Sequence, residues 1–458
     1  MKSICVETSA GRRLLPSPHA AARAFSILLN KSNSPENLVQ NGSNPSNNSF
    51  PKIFKECLTS FSFDFIGLLA GFIFAFFLDI FMLSSWIIAI YPAILTAKGV
   101  IAGNLAGRLG TSLHVGTIYP RFTENTKAFY NLFDTIVVVS LIVSLSMSSI
   151  AMVFGLLFWG VRVGNFIEII LNVTATMALG LTISLLTVYL SFLSFKFGWD
   201  PDIVVYPIMS STADVIITIY YALIISAFFL FGGLGRAAVV VISIFYLVYV
   251  ALIALRNIHN EEFIKSLKEI LLTLIIVAFI VNITGTLLGR ISAVIEKRRE
   301  IYMVYPALID MVGDVGSVIG STATTRLALG LIKPSFKDLR KLKEHIIGSW
   351  LSSLIIFAAL SAISLALNAL LTPQYFIQFS SILMMVNIIA VPLIFLISYL
   401  ISILTFKKGF DPDNFVIPIE SSFADSIATL SLFLVLLLIS GTQGVLGLIL
   451  AQEIRFLL

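Results

Sequence analysis

Long apolar runs separated by short polar segments follow one another through most of the chain. Each run contains roughly twenty residues or more, which as an α-helix is enough to cross a hydrocarbon core of about 30 Å. This pattern predicts an all-α polytopic membrane protein with about eleven transmembrane helices. The predicted spans cover residues 60–88, 91–118, 130–158, 165–195, 203–232, 236–256, 264–292, 301–332, 345–371, 376–406 and 414–439.

The two ends of the chain depart from this pattern. The segment "NKSNSPENLVQNGSNPSNNSF" is aperiodic and rich in Ser, Asn and Pro, which predicts a disordered tail over residues 1–55. No clean apolar run follows the first arginines, so we expect no cleaved signal peptide. The last residues, 441–458, are predicted to form a short segment at the membrane interface.

Two landmarks occur twice in the chain, in the same order. The run "YPAILTAKGVIAGNLAGRLGT" begins at Tyr91, and the similar run "YPALIDMVGDVGSVIGSTATT" begins 214 residues later, at Tyr305. The phrase "KFGWDPD" begins at Lys196, and "KKGFDPD" begins 211 residues later, at Lys407. Similarity over such a long period indicates a duplicated five-helix unit. The predicted parts are a first repeat over 60–232, a linking transmembrane helix over 236–256 and a second repeat over 264–439.

The linking helix decides how the two repeats are oriented. Two adjacent five-helix units would face opposite ways across the membrane, and one additional helix restores the same orientation. We therefore expect a pseudo-two-fold axis along the membrane normal, with the functional site on that axis. Outside the tail, thirteen Lys and Arg residues fall on the side of the membrane where the N-terminus would lie, and seven fall on the opposite side. This bias predicts a cytoplasmic N-terminus and an outward C-terminus.

Composition excludes several classes of function. The chain has 58% hydrophobic and 12% charged residues, whereas soluble domains have about 25% charged residues, so it is not a soluble enzyme. The net charge of +5 reflects basic loops of a protein embedded in a lipid bilayer, and no nucleic-acid partner is expected. The two cysteines and four histidines are scattered without a metal-ligand or redox spacing, so no cofactor is expected.

Two aspartates recur inside apolar runs. Asp214 in "PIMSSTAD" and Asp425 in "PIESSFAD" end matching phrases on the fifth predicted helix of each repeat. Each lies about 12 residues, or roughly 18 Å, from the preceding Asp-Pro-Asp, which places it near the middle of the bilayer. A carboxylate at that depth is costly against lipid and usually marks an ion site. The alternative is a structural role, in which the aspartate caps a helix or forms a hydrogen bond with a serine hydroxyl. Duplication alone would then explain why the aspartate occurs in both repeats.

The second repeat adds two more acids on its second predicted helix. Asp310 and Asp314 are four residues apart and so share one helix face. Asp314 lies about 12 residues inward from Tyr302, a depth comparable to that of the first two aspartates. Acids that converge near the midplane suit a hard divalent cation, and Mg²⁺ would be bound largely through its waters. The alternative is that Asp310 and Asp314 pair with basic residues. The candidate metal-binding residues are Asp214, Asp425, Asp314 and Asp310.

The first repeat is not chemically equivalent to the second. Thr96 and Val100 occupy the positions of the two added acids, and Lys98 lies between them. Our hypothesis is an ion pair between Lys98 and Asp79 that braces the first repeat. Small residues also recur along both second helices, which favours close helix packing, with pore-lining carbonyl groups as the alternative. These small residues are Gly99, Gly103 and Gly107, and then Gly313, Ser317 and Ser321.

The paired motifs resemble a known family. The phrases P-A-[IL]-x₃-K-G…A-G-R-L-G-T and D-P-D-x₄-P-I-x-S-S-x-A-D resemble the transmembrane domain of the MgtE magnesium channel/transporter family and its duplicated solute-carrier relatives, over roughly residues 60–440. The resemblance implies one pore, lined by the second and fifth helices of two five-helix units. It also implies that the fifth-helix aspartates, here Asp214 and Asp425, bind the ion. The chain departs from the family where Val100 and Ala102 replace a polar pair, and no segment resembles the cytoplasmic magnesium-sensing domains of bacterial members.

The expected function is transport of a divalent cation, magnesium in the first place, through a pore between the two repeats. One chain supplies both repeats, so a monomer could form a complete pore, which we expect in the plasma membrane. The alternative within transport is a proton- or sodium-coupled carrier of another solute. The alternative outside transport is a membrane-embedded enzyme or a scaffold, although the chain has no nucleophile elbow or Gly-rich phosphate loop.

Overall fold

A computed structural model of the chain describes residues 50–197, 201–295, 298–328, 330–408 and 412–439. Most of the predicted tail and the predicted interfacial segment 441–458 lie outside the described residues. So do the first aspartates of the two Asp-Pro-Asp phrases, Asp200 and Asp411.

Every regular element in these described ranges is helical, and eleven stretches are long and apolar enough to cross a membrane. The prediction of an all-α membrane protein with about eleven spans is confirmed. The α-helices are α1 Phe50–Phe61, α2 Gly67–Phe76, α3 Leu78–Phe81, α4 Ser85–Val115, α5 Lys127–Phe154, α6 Phe166–Leu179, α7 Leu181–Lys196, α8 Pro201–Leu230, α9 Gly232–Asn257, α10 Glu261–Ile295, α11 Arg299–Ala328, α12 Lys343–Leu367, α13 Pro373–Lys408 and α14 Pro412–Ile439. Shorter 3₁₀ segments cover Ser62–Ile66, Val163–Asn165 and Phe336–Leu342, and a π-helical turn covers Gly155–Trp159.

The first span begins and ends earlier than the predicted range 60–88. It consists of α1, the 3₁₀ segment Ser62–Ile66 and α2, so that its first residues fall inside the predicted tail. The helix is interrupted at Phe77 (φ −89°, ψ 11°), and the backbone is extended at Ser84 (φ −150°, ψ 141°), directly before α4. The connection is itself apolar, which is why the hydropathy pattern runs through it.

The packing of the central helices is repeated in the two halves of the chain. Helix α8 packs on α4 as α14 packs on α11, and α2 packs on α8 as α10 packs on α14. Between the halves, α2 packs on α11 and α10 packs on α4. Helix α14 also contacts α4, and α8 contacts α11. Each contact therefore occurs twice, as a pseudo-two-fold relation requires, and α4, α8, α11 and α14 surround the centre.

The contacts between the halves are backbone to backbone. A Cβ atom at Gly71 of α2 would overlap the carbonyl oxygen of Met303 on α11, and one at Gly285 of α10 would overlap that of Ala89 on α4. The two glycines are 214 residues apart, and so are their two partners. Glycine allows this close approach because it has no side chain. The duplicated unit thus includes its first helix, and that helix lies against the opposite half.

Two glycines of the second helix do not have the packing role that the sequence favoured. A Cβ atom at Gly99 or Gly107 would meet no other atom within 4 Å. Both residues therefore face open space, and the close-packing interpretation is wrong for them. They share a face of α4 with Thr96, because residues three or four apart in a helix lie one above the other.

Candidate functional site

Five carboxyl groups meet near the centre of the bundle. The Asp214 carboxyl group lies within hydrogen-bonding reach of the Asp310 carboxyl group, and Asp425 is close enough to interact electrostatically with both. Asp314 interacts in the same way with Asp310 and with Asp64. All four predicted metal-binding residues are thus in one cluster, while their role as ligands stays a prediction. The cluster consists of Asp64 in the 3₁₀ segment Ser62–Ile66, Asp214 on α8, Asp310 and Asp314 on α11, and Asp425 on α14.

A chain of hydroxyl groups holds each fifth-helix aspartate in position. In the first half, the Thr218 hydroxyl donates to the Asp214 carbonyl oxygen at 2.6 Å. The same hydroxyl lies 2.8 Å from the Tyr91 hydroxyl, which must therefore be the donor to Thr218. The second half repeats the arrangement from Tyr305 through Thr429, at 2.9 Å, to the Asp425 carbonyl oxygen, at 2.6 Å. These bonds connect α4 to α8 and α11 to α14 one turn away from the two carboxyl groups.

The contact between Thr96 and Asp425 crosses from one half to the other. The Thr96 hydroxyl oxygen lies 2.6 Å from a carboxylate oxygen of Asp425 and 3.0 Å from the Pro92 carbonyl oxygen. A threonine hydroxyl has one proton, so it donates to only one of the two. It can donate to an ionised Asp425, or it can donate to Pro92 and accept the proton of a neutral Asp425. The pair accommodates both charge states of this carboxyl group.

The Asp214 and Asp310 carboxyl groups form the corresponding contact on the other side of the centre. An ionised carboxylate can only accept hydrogen bonds, so two carboxyl groups bond each other only when one carries a proton. Two ionised carboxylates at this separation would repel strongly in a site shielded from water. The pair therefore holds either a proton or a cation between its oxygens.

Basic side chains do not neutralise the cluster. None of its five acids forms a salt bridge within the described ranges, where the ion pairs join other residues. The alternative in which Asp310 and Asp314 pair with basic residues is therefore not supported. An exogenous cation or protons must balance this charge, because an isolated buried carboxylate is costly.

Two buried acids inside the predicted spans were not recognised in the sequence. Asp64 is 3% exposed, and its Oδ2 atom has no hydrogen-bond partner. Glu420 is 1% exposed and lies behind the cluster, between α11, α13 and α14, where its Oε1 atom occupies the space that a side chain at Gly316 would need. Both residues fall inside predicted apolar spans, so the rule that singled out Asp214 applies to them equally.

The hypothesis of an ion pair between Lys98 and Asp79 is wrong. The Lys98 ammonium group is buried and lies 3.2 Å from the Ser140 hydroxyl, without an acidic partner in the described part of the chain. Gly180, between α6 and α7, leaves room for its side chain. Asp79 is on the short helix α3, which points it outward, and its carboxylate pairs with Arg299 at 3.5 Å. The early end of the first span moves Asp79 out of the membrane core.

The described acidic side chains are too far apart for direct chelation of a metal ion. Among the described residues, no three Asp, Glu, His or Cys side chains come close enough to chelate a bare metal ion. Open space borders Gly99 and Gly107 on the face of α4 that also carries Thr96. Carboxylates that are too far apart for direct chelation can still bind a hydrated ion through its water molecules, which is how Mg²⁺ commonly binds in proteins.

Comparison with known proteins identifies the family of this chain. A family model described as MgtE, divalent cation transporter, matches residues 91–224 and 305–435, which together make up more than half of the chain. The two matched segments contain four of the five clustered acids, and Asp64 lies outside both. Neither the curated proteins nor the solved structures contain a match to this chain.

Proposed function

We propose that this chain, which belongs to the MgtE family of divalent cation transporters, carries hydrated Mg²⁺ across a membrane through a pore between its two halves. The family is one of transporters and not of enzymes. The observation that carries the proposal is the convergence of Asp214, Asp310, Asp314 and Asp425 without a basic partner in the described ranges.

The proposed pore is bordered by the second and fifth helices of both halves, α4, α8, α11 and α14. Its carboxylates attract a divalent cation electrostatically, more strongly than they would in bulk water because the surrounding helices are apolar. Mg²⁺ loses its water reluctantly, so a site with spread carboxylates and room for water favours it over an ion that requires direct chelation. The charge of the ion replaces the proton that otherwise holds the Asp214–Asp310 pair together.

We further propose that one chain forms the complete pore. Both members of each contact across the centre, Thr96 with Asp425 and Asp310 with Asp214, come from the same polypeptide. We place the protein in the plasma membrane with a cytoplasmic N-terminus and an outward C-terminus, as the distribution of Lys and Arg favours.

The decisive experiment is Mg²⁺ uptake into proteoliposomes that contain the purified full-length chain. Asp214→Asn and Asp425→Asn preserve the shape of the side chain and remove its charge, and the double variant removes both. The flux is expected to fall in each single variant and to be lost in the double variant. The matched control is Asp79→Asn, which removes the charge of an exposed acid of the same chain. Undiminished flux in a folded double variant would reject the proposed site.

The same vesicles separate two forms of transport. Flux that follows the Mg²⁺ gradient alone corresponds to a pore. Flux that requires an imposed proton or sodium gradient would instead identify a coupled carrier.

A further inference from the structure

We propose that Asp64 is a further binding residue for the hydrated cation, and that the cation therefore binds beside only one of the two pseudo-equivalent interfaces between the halves. This is the interface at which α2 packs on α11, where the 3₁₀ segment Ser62–Ile66 and α8 lie beside them. The inference rests on the proposed function of the acidic cluster and adds to it a residue from the first helix, which lies outside the two segments that match the family.

The packing of α2 on α11 places Asp64 at the level of Asp310. A Cβ atom at Gly67 would lie 3.0 Å from the Cα atom of Ala307, and one at Gly71 would overlap the backbone of Met303. As the residue number rises along α2, it falls along α11, so the two helices are antiparallel and their register is defined. Asp64, three residues before Gly67, therefore lies opposite Asp310, three residues after Ala307.

Burial and chemistry agree with this register. Asp64 is 3% exposed and interacts electrostatically with Asp314, Asp214 and Asp310. Its Oδ2 atom has no hydrogen-bond partner among the described residues, which is rare for a buried oxygen and marks a group whose partner is an ion, a proton or a water molecule. Asp64 occupies a 3₁₀ segment that interrupts the first span, and such segments in a helix often occur at functional positions.

The equivalent interface, at which α10 packs on α4, has no acidic residue at the positions of Asp64, Asp310 and Asp314. Gly285 packs on Ala89 in the same register, so the residue opposite Thr96 is Ala278, which is fully buried and apolar. Val100 occupies the position at this interface that Asp314 occupies at the first one. The four acids at the first interface are Asp64, Asp214, Asp310 and Asp314. Only Asp214 has an acidic counterpart at the other interface, Asp425, and the Thr96 hydroxyl already contacts the Asp425 carboxyl group at 2.6 Å.

A divalent cation is consequently attracted to one side of the pseudo-two-fold axis. Between Asp64, Asp310 and Asp214 it is close to three carboxyl groups, whereas the equivalent position near Ala278, Thr96 and Asp425 offers one. The duplicated unit has thus lost the symmetry of its binding site while keeping that of its packing.

The test measures Mg²⁺ binding to the purified full-length protein by isothermal titration calorimetry, with Mg²⁺ flux in proteoliposomes beside it. Asp64→Asn is compared with Asp214→Asn and with Asp79→Asn as the matched control from the same end of the chain. Loss of a carboxylate that binds an ion through water is expected to weaken the apparent affinity roughly 10- to 100-fold in Asp64→Asn. The affinity of Asp79→Asn should be that of the wild type.

The outcomes distinguish this inference from the proposed function. If Asp214→Asn weakens binding and Asp64→Asn does not, the role of Asp64 is rejected and the acidic cluster stands. If neither substitution changes binding, both proposals are rejected. If Asp64→Asn does not fold, Asp64→Glu retains the charge and moves it by one methylene group, which should change the ratio of Mg²⁺ to Ca²⁺ affinity. An unchanged ratio in that variant would also reject the role of Asp64.

Discussion

The hydroxyl group of Thr96 lies 2.6 Å from a carboxylate oxygen of Asp425, and the two residues belong to different halves of the chain. On the other side of the pseudo-two-fold axis, the same two positions are held by Asp310 and Asp214. One cross-half contact thus joins a hydroxyl to an acid, and the other joins an acid to an acid. This difference has consequences that can be measured.

Replacing Thr96 by Val removes the hydroxyl and preserves the shape of the side chain. Asp425 then loses a hydrogen bond in a buried position, and the free energy of unfolding is expected to fall by roughly 0.5–3 kcal/mol, a range that covers bonds to a neutral and to an ionised carboxyl group. Thermal and chemical unfolding of the purified protein in detergent measure this change. Thr96→Ser retains the hydroxyl and is the control; equal stability of Thr96→Val and the wild type would show that the contact does not stabilise the fold.

Binding of Mg²⁺ is expected to release about one proton, because the cation replaces the proton between Asp214 and Asp310. Protons therefore compete with the cation, and the apparent affinity should fall as the pH is lowered. Calorimetric titration in two buffers that differ in ionisation enthalpy measures the number of protons released. In Asp310→Asn the amide can donate a hydrogen bond to the Asp214 carboxylate, so no shared proton is needed and fewer protons should be released. If the heat of Mg²⁺ binding to the wild type were the same in both buffers, no proton would be released and this account would be contradicted.

Alanine at Gly71 or at Gly285 is expected to destabilise the protein. In each case the new Cβ atom would overlap a carbonyl oxygen of the opposite half, that of Met303 or that of Ala89. Overpacking of this kind costs roughly 1–3 kcal/mol.

The matched control for these two glycines is Gly99→Ala. Its Cβ atom would meet no atom within 4 Å, and alanine favours a helix over glycine by about 0.5–1 kcal/mol. The unfolding temperature should fall in the first two variants and not in the control. If all three variants unfold at the same temperature, the backbone contact between the halves does not limit stability.

Replacing Lys98 by Met is expected to leave the unfolding temperature unchanged or to raise it. The buried ammonium group has three protons to donate, and the contact found for it is with Ser140, at 3.2 Å. Methionine fills similar space without the cost of burying a charge. Lys98→Ala is the control, because it should lower stability by leaving a cavity beside Gly180. Destabilisation by methionine as large as that by alanine would mean that the charge itself is needed.

The proposed orientation can be tested by chemical labelling of single cysteines. Lys337 is exposed in the connection between α11 and α12, and Thr372 is exposed between α12 and α13, at the opposite ends of α12. After the native cysteines have been replaced, Lys337→Cys should react with an impermeant thiol reagent only once cells are permeabilised, and Thr372→Cys should react in intact cells. The reverse pattern would invert the orientation.

The sequence predicted most of the fold because a bilayer restricts what a chain can do. Backbone groups in the hydrocarbon core must bond within their own segment, so a long apolar run becomes a helix whatever lies beside it. The spans and the duplication could therefore be predicted from the chain, with an error at the first span, where the connection around Phe77 is as apolar as the helices it joins. The intramembrane acids Asp214, Asp310, Asp314 and Asp425 were recognisable for the same reason.

The partners of those acids were not recognisable from the sequence. The spacing in the chain associated Lys98 with Asp79, whereas the folded chain turns Asp79 outward to Arg299 and leaves Lys98 beside Ser140. Asp64 was overlooked because nothing in the first span indicates which helix it will face. It reaches Asp310 only because Gly71 allows α2 to lie against the second helix of the opposite half.

Hydropathy by itself indicated a membrane protein and predicted the eleven apolar helices found in the described residues, because the cost of placing a residue in lipid depends mainly on that residue. The tertiary structure alone decided which carboxyl groups share a site and that Thr96, rather than an acid, contacts Asp425. Those relationships depend on the shapes of helix surfaces distant in sequence, where a single missing Cβ atom determines which helices can approach.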